Sequence, residues 1–180
     1  FESSKDNVSL IVGSADENGT AAALIMAMVK AAIINEKNLL ESPAKIGERI
    51  DYLLKQIKKS ARVNMSLQYI SIDISERKGK CLNAGKALPI LVNGKARRVM
   101  TIGSQGNKLG ESEISNYKET NFEFKDNSAI IMCTNPNYTK LLVEKAADAY
   151  HKDPATYTNN LIKSMNIKES CECSILVFTI

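Results

Sequence analysis

The sequence contains no tryptophan, and its other aromatic residues make up only 6% of its 180 residues. Proteins that bind single-stranded nucleic acids usually stack the bases on exposed aromatic rings, so this composition argues against a nucleic-acid-binding function. The single histidine, His151, follows a predicted helix and precedes Lys152, so we expect it to be exposed. A Ser–His–Asp or Cys–His catalytic arrangement needs a histidine held against its nucleophile, and the sequence does not indicate one.

Long apolar segments and targeting signals are also missing. The longest apolar stretch, residues 21–34, is interrupted by Lys30 and is shorter than the ~20 residues that cross a membrane. The chain begins at Phe1 and shows no basic segment followed by an apolar one, which is the pattern of a secretory signal. Four cysteines are too few for a disulfide scaffold in a chain of this length. We therefore expect a cytoplasmic domain from a longer chain, with no membrane-spanning segment.

The composition that is present is that of an ordinary globular protein. Hydrophobic residues make up 44% of the chain and charged residues 24%, with a formal net charge of +4. A chain of this length and composition predicts one domain with its own core, residues 1–180. The mildly basic balance singles out no class of partner.

The first third of the chain predicts a strand and two helices. Residues 8–12 (VSLIV) form a short apolar run that is typical of a buried strand. Residues 21–35 are rich in helix formers and apolar nearly all round, so we expect this helix to be buried on more than one side, with Thr20 as its N-cap. Apolar residues then recur at helical spacing up to Ile57, which predicts an amphipathic helix with Ser42 as N-cap and Pro43 in its first turn.

The middle of the chain predicts short antiparallel strands, and the end predicts two helices and a last strand. Turns are indicated at residues 76–80, which contain Gly79, and at Asn93-Gly94. The helices are predicted over residues 138–150 and 155–165, before a strand over residues 174–180. Helices segregated from antiparallel strands favour the α+β class. The predicted middle strands cover residues 65–74, 81–84, 88–92, 99–102, 120–124 and 129–133.

Several short motifs, in order, resemble the SpoIIE-type, RsbU-like branch of the PPM metal-dependent serine/threonine phosphatases. That family has Gly-Asp-x-Ser-Gly-His-Gly before an alanine-rich helix, and residues 13–19 here read GSADENG before AAALIM. Its Asn-Ala-Gly-His corresponds to NAGK at residues 83–86, and its Leu-Gly pair to residues 109–110. Its Tyr-Thr-Asp-Gly corresponds to CTNP at residues 133–136, and its Asp-Asp-x-Thr to CECS at residues 171–174.

The resemblance extends from about residue 8 to the C-terminus and implies a fold. The expected architecture is an α-β-β-α sandwich, in which two antiparallel sheets pack together with helices outside. The family's upstream strands, which carry a Gly-Gly-Asp motif, have no counterpart in the sequence, so the fold is expected to lack them. The resemblance also implies that the chain is the C-terminal part of a longer protein.

The resemblance implies a chemistry for which this sequence lacks the expected ligands. Members of the family hydrolyse phosphoserine or phosphothreonine with water activated by two Mn²⁺ or Mg²⁺ ions, which need anionic oxygen ligands. Three aspartate ligands of the family fall on Ser14, Asn135 and Cys171, none of which is a carboxylate. Losing an outer-sphere partner alone costs ~10–100-fold in metal affinity, so losing three direct ligands should cost more. We therefore expect no bound metal.

Further differences from the family's motifs surround these positions. Glu17, Asn18 and Lys86 replace a glycine and two histidines of the family's motifs, and Lys86 would bring a cation to the site if it points inward. The resemblance also implies a cleft around the three ligand positions. The expected cleft residues are Gly13, Ala15, Asn18, Gly19 and Lys86. A rotated loop could instead rebuild a metal site from Asp16, Glu17 and Glu172, although these acids are also typical of solvent-exposed loops.

The cysteines permit one further interpretation. Cys171 and Cys173 place two thiols on one face of a strand, and Cys133 could lie near them. Zinc requires four ligands in tetrahedral geometry, so this spacing alone favours reduced cysteines over a zinc site.

Three hypotheses for function follow. The favoured one is a degenerate phosphatase domain that acts in bacterial signalling by binding a protein, such as an anti-sigma factor antagonist. The second is an active Mn²⁺- or Mg²⁺-dependent protein phosphatase with shifted ligands. The third is a structural or oligomerising domain of a sensor protein.

Overall fold

The computed structural model describes residues 2–4, 6–35, 42–57, 63–114, 116–166 and 173–180, which form two antiparallel sheets with helices on their outer faces. The first sheet has the order β1-β2-β3-β4-β7 and the second has the order β6-β5-β8-β9. The predicted α+β sandwich is confirmed. The elements are β1 Glu2–Ser4, β2 Asn7–Ala15, α1 Gly19–Asn35, α2 Pro43–Ile57, β3 Met65–Asp73, β4 Lys78–Ala84, β5 Ile90–Asn93, β6 Arg98–Thr101, β7 Thr120–Glu123, β8 Ser128–Cys133, α3 Thr139–Ala149, α4 Pro154–Met165 and β9 Ile175–Thr179, with a short 3₁₀ helix at Pro136–Tyr138.

Strand β3 shows how the sequence divides the core into layers. Alternate side chains of a strand point to opposite faces, so Leu67 and Tyr69 pack among helices α1 and α2. Ile70 and Ile72 pack on the other face against the second sheet. A third apolar cluster joins α3 and α4 to the outer face of β5, β8 and β9. Residues 67–72 of this strand are therefore all buried, because both faces of the strand are covered.

Helix α1 is covered on one face only. Its buried residues follow helical spacing and lie against the first sheet: Ile25, Val29 and Ile33. Three large apolar residues on other faces are exposed by 42–61%: Leu24, Met28 and Ile34. The prediction that this helix is buried on more than one side is therefore wrong for the described part of the chain. The prediction of a Thr20 cap is also wrong, because the helix begins at Gly19 and includes Thr20.

Helix α2 begins at Pro43, as predicted, but its capping group comes from elsewhere in the chain. The Glu119 carboxylate accepts hydrogen bonds from the Ala44 backbone N–H at 3.0 Å and from the Ser42 hydroxyl at 2.9 Å. A carboxylate at this position satisfies an unpaired N–H and complements the positive end of the helix dipole. Ser42 therefore donates its hydroxyl to the capping carboxylate instead of capping the helix itself.

The two predicted turns differ in how well their sequence signals locate them. The β5–β6 hairpin turns at residues 94–97, as the Asn93-Gly94 pair predicts, and the Asn93 side chain accepts from the Ala96 N–H. The β3–β4 hairpin turns at residues 74–77, with Arg77 at a φ of 53°. Gly79 lies within β4 instead, where a Cβ atom would come within 2.3 Å of the Phe122 ring. Its role is thus close packing and not turn geometry.

Candidate functional site

A cleft opens where β2 and β8 end and β9 begins. Its volume is about 490 Å³, and it is open to solvent along one side. No acidic residue is among the described residues that line it. The lining residues are Gly13, Ser14, Thr134, Asn135, Pro136, Asn137, Cys173 and Ser174. The structure therefore brings Ser14 and Asn135, which are 121 positions apart in the sequence, to one site.

A narrow crevice of about 10 Å³ leads from Ser14 between the ends of the two sheets. Two buried polar atoms on its walls, Gln68 Nε2 and Asn83 Oδ1, have no hydrogen-bond partner among the described residues. The other end of each amide is bonded. Gln68 Oε1 accepts from the Cys133 N–H, and Asn83 Nδ2 donates to the backbone carbonyls of Gly85 and Ser104. A volume of this size corresponds to about one water molecule.

The polar side chains of the cleft make local hydrogen bonds. The Asn135 Oδ1 atom accepts from the Asn137 N–H at 3.0 Å, and thereby caps the 3₁₀ helix that follows β8. The Ser14 hydroxyl donates weakly to the Ala15 carbonyl at 3.5 Å. Both groups are neutral, so the cleft offers oxygen dipoles and no compensating negative charge.

Two acidic residues, Asp16 and Glu17, follow β2, and Asp16 binds a lysine outside the cleft. Both Asp16 carboxylate oxygens accept from Lys108 Nζ, at 2.7 and 2.9 Å. Glu17 is partly buried, and neither acid lines the cleft. The lysine already neutralises the Asp16 carboxylate, so Asp16 would have to release Lys108 before it could bind a metal ion.

Of the other residues that the resemblance places in the cleft, only one lines it in the structure. Gly13 lines the cleft, whereas Ala15 ends β2, Asn18 lies in the loop that follows and Gly19 begins α1, and none of these three lines the cleft. Lys86 is exposed and lines neither the cleft nor the crevice, so the expectation of an inward cation is not met. Two further predicted positions, Cys171 and Glu172, lie outside the described residues.

The described residues do not fit two divalent cations. Mg²⁺ and Mn²⁺ are hard ions that are held by carboxylate oxygens. Within the described ranges, no three side chains among His, Cys, Asp and Glu are grouped so that they could hold a metal ion. The cleft contributes serine, threonine and asparagine oxygens together with a cysteine sulfur, a donor set that neither supplies the required charge nor suits these ions.

Two cysteines meet where the cleft borders the crevice, because Cys173 lines the cleft and Cys133 lines the crevice. Cys133 ends β8 and is buried, Cys173 precedes β9 and is partly exposed, and their Sγ atoms are 3.0 Å apart. Burial and the hydrogen bond shared with Cys173 raise the pKa of the Cys133 thiol to about 12. The sulfur of Cys133 also donates to the Asn135 carbonyl, so this thiol links β8 to the 3₁₀ turn.

A buried carboxylate that no sequence motif indicates joins helix α2 to the loop before β7. Asp51 is fully buried and accepts from Lys55 Nζ at 2.6 Å, the Gly110 N–H at 2.6 Å and the Tyr117 hydroxyl at 2.9 Å. Burial, with Asp51 as acceptor and negative neighbour, raises the pKa of Tyr117. The signal that could have found this residue is its position on the apolar face of α2, between Ile50 and Leu54.

The same loop connects this buried carboxylate to the edge of the cleft. Leu109 forms a two-way backbone bridge with Met65 at the start of β3. Its neighbour Lys108 holds Asp16, and its other neighbour Gly110 donates to Asp51. Residues 108–110 of this loop are thus bound to Asp16 at one end and to Asp51 at the other.

Comparison with protein families settles the relationship that the motifs suggest. The sequence profile of stage II sporulation protein E, SpoIIE, matches residues 4–165, which is most of the chain. The chain belongs to the SpoIIE family. This places it in the SpoIIE- and RsbU-type branch of the PPM phosphatases. No curated protein matches the sequence.

Solved structures confirm the fold at low sequence identity. The PP2C phosphatase domain of SpoIIE from Bacillus subtilis, solved with a fragment of its regulatory domain, superposes with a TM-score of 0.77 at 14% identity, over 99% of this chain and 56% of that one. RsbX in complex with magnesium gives 0.73 at 16% identity, over 99% and 84%. The RsbU and RsbW domains of Rv1364c from Mycobacterium tuberculosis give 0.71 at 18% identity, over 88% and 48%. The SpoIIE-family chain therefore spans about half the length of some of the proteins it resembles.

Among the described residues, no helix is long and apolar enough to cross a membrane.

Proposed function

We propose that this SpoIIE-family domain is a degenerate phosphatase that acts in cytoplasmic signalling by binding a protein. The observation that carries the proposal is the neutral lining of the cleft at Ser14 and Asn135. Two divalent ions bring about four positive charges to one place, and a site for them needs several carboxylates. The described cleft residues supply none, and Asp16, two residues after Ser14, is paired with Lys108.

The first experiment measures metal binding and hydrolysis with the whole chain. Mn²⁺ and Mg²⁺ are titrated calorimetrically, and hydrolysis of a generic aryl phosphate is followed with and without metal. We expect no binding heat at the cleft and no metal-dependent turnover. Metal-dependent turnover that is lost in Asp16→Ala or Glu172→Ala would instead support an active phosphatase with shifted ligands.

A matched pair of variants shows whether the cleft occupies the place of a former metal site. The triple variant Ser14→Asp, Asn135→Asp, Cys171→Asp supplies three carboxylates at the positions that resemble the family's ligands. The control Ser14→Asn, Cys171→Asn leaves Asn135 in place and so has nearly the same shape without charge. We expect Mn²⁺ to bind the charged variant and not the control. Equal binding by both variants, or by neither, would contradict this assignment of the ligand positions.

The proposed partner is a protein of the anti-sigma factor antagonist class. Support comes from the domains that occur together with related domains, because Rv1364c contains both an RsbU domain and an RsbW domain. Another similar structure belongs to the bacterial stressosome. The open cleft with hydrogen-bonding side chains could receive a polar segment of such a partner.

The partner proposal is tested by titrating the chain with an anti-sigma factor antagonist in its serine-phosphorylated and unphosphorylated forms. Ser14→Arg fills the cleft and should weaken binding about tenfold or more, which is ~1.4 kcal/mol. Asn159→Arg is the control, because it adds the same charge at an exposed position on α4. Equal loss in both variants, or no binding of either form, would favour a structural role for the domain.

A further inference from the structure

The proposed loss of metal ligands does not explain why two cysteines, Cys133 and Cys173, lie side by side where the cleft borders the crevice. The Sγ atoms of Cys133 and Cys173 are 3.0 Å apart, although the residues are 40 positions apart in the sequence. A disulfide requires ~2.05 Å between the sulfurs, so the two atoms would have to approach by about 1 Å. We propose that Cys133 and Cys173 form a reversible disulfide when the protein reacts with hydrogen peroxide.

The backbone around the pair already holds the two residues in position. Cys133 is paired with Ile175 in the β8–β9 ladder. One residue further out, the Thr134 N–H donates to the Ser174 carbonyl, and the Ser174 N–H donates to the Thr134 hydroxyl. These bonds fix the start of β9 beside the end of β8. The two sulfurs are therefore held close together by paired strand ends.

The two cysteines differ in accessibility, which assigns their roles. Cys173 is partly exposed on the cleft wall, whereas Cys133 is 1% exposed. The peroxide therefore reaches Cys173 first. The Cys173 sulfur displaces water from the peroxide and becomes a sulfenic acid. The Cys133 sulfur then attacks the Cys173 sulfur and releases a second water, so that two thiols and one peroxide give one disulfide and two waters.

The proposal concerns a modification of the cleft and does not depend on the proposed function. Oxidation would remove the Cys173 thiol from the cleft wall and covalently join the strand ends that frame it. A disulfide of this kind suits a reducing compartment, where such bonds are transient and responsive to oxidants. It would also close a loop that contains α3 and α4.

The test is a disulfide map of the whole chain after treatment with hydrogen peroxide. Trypsin separates Cys133 in residues 126–140 from Cys173 in residues 169–180. We expect these two peptides to be linked without reductant and separated by dithiothreitol. Because the second peptide also contains Cys171, Cys171→Ser should keep the link and Cys173→Ser should abolish it. Cys81→Ala is the control, because Cys81 is buried between the sheets and should not affect the link.

A thermal measurement gives a second readout. A disulfide across a loop of this length should raise the melting temperature of the oxidised chain by about 5–10 °C, and the rise should be absent in Cys173→Ser. A link through Cys171, a link between two chains, overoxidation of Cys173 to the sulfinic acid, or four unchanged thiols would each overturn the proposal.

Discussion

The two helical layers of the sandwich are joined to their sheets in different ways. Helices α3 and α4 pack on each other and on β5, β8 and β9, and their buried polar contact is local: the Tyr157 hydroxyl donates to the Ala146 carbonyl at 2.8 Å. Helix α2 of the other layer relies on distant loop residues, because Asp51 accepts from Gly110 and Tyr117, and Glu119 caps the helix. The same α/β packing is therefore stabilised by neighbouring residues in one layer and by long-range polar contacts in the other. The loop that makes these long-range contacts also binds Asp16 through Lys108, directly after the end of β2.

The largest expected effect is at the centre of these long-range contacts. Asp51→Ala removes a fully buried carboxylate and leaves the Gly110 N–H and the Tyr117 hydroxyl without their acceptor. Breaking a buried ionic contact of this kind costs ~3–5 kcal/mol. Denaturant unfolding followed by circular dichroism should show a fall in the free energy of unfolding of this size.

A matched acid in the other layer provides the control for Asp51. Asp148→Ala removes an exposed carboxylate from α3, which pairs with Arg97 at 3.8 Å. Changes at such surface positions usually stay within ~0.5 kcal/mol. Equal losses in the two variants would mean that burial of the α2 carboxylate has no special role, and the contrast between the layers would fail.

A smaller effect is expected for the local contact between α3 and α4. Tyr157→Phe keeps the ring, which packs edge-on against Tyr150 at 5.4 Å between centroids, and removes only the hydroxyl. The buried Ala146 carbonyl then lacks this donor, which costs ~1–2 kcal/mol. Tyr52→Phe, on the exposed side of α2, should leave stability unchanged. A loss for Tyr157→Phe as large as that for Asp51→Ala would show that both layers depend equally on one buried polar group.

The sequence predicts the elements of both layers better than the contacts between them. The β8 strand follows from a short apolar run and the α2 helix from apolar residues at helical spacing, and both are confirmed. Helix α1 shows the limit of this reasoning, because a segment that is apolar all round does not indicate how many of its faces will be covered. Its exposed Leu24 and Met28 depend on the placement of the sheet, which the local sequence does not contain.

The cleft shows the same limit for polar groups. The resemblance to the family pointed to Ser14 and Asn135, and the structure places them at one cleft. Lys108 and Glu119 had no local signal, because their partners Asp16 and Ala44 lie 92 and 75 positions away. Such pairs form only when the loop before β7 folds back over the helices, and pattern analysis of single segments does not predict that path.

The smallest expected effect is at the N-terminus of α4. This helix is capped by the carboxylate of the adjacent Asp153, whereas α2 is capped by the distant Glu119. Asp153 accepts from both the hydroxyl and the backbone N–H of Thr156, and these two bonds lower the pKa of its carboxyl below the ordinary value. The hydrogen bonds favour the ionised form, so the cap is complete above the ordinary pKa and is lost as the pH falls through the lowered one. Thr156→Val removes the hydrogen bond from the hydroxyl and leaves the one from the backbone N–H.

NMR titration of the Asp153 carboxyl carbon measures this difference directly. In Thr156→Val the pKa should rise and still remain below its ordinary value, because the backbone N–H of residue 156 continues to donate. Thr158→Val is the control, since the Thr158 hydroxyl donates to the Pro154 carbonyl and not to Asp153. If the pKa of Asp153 stayed unchanged in Thr156→Val, the backbone bond alone would stabilise the carboxylate. The local cap of α4 would then be a single contact, whereas the distant carboxylate at α2 accepts two hydrogen bonds.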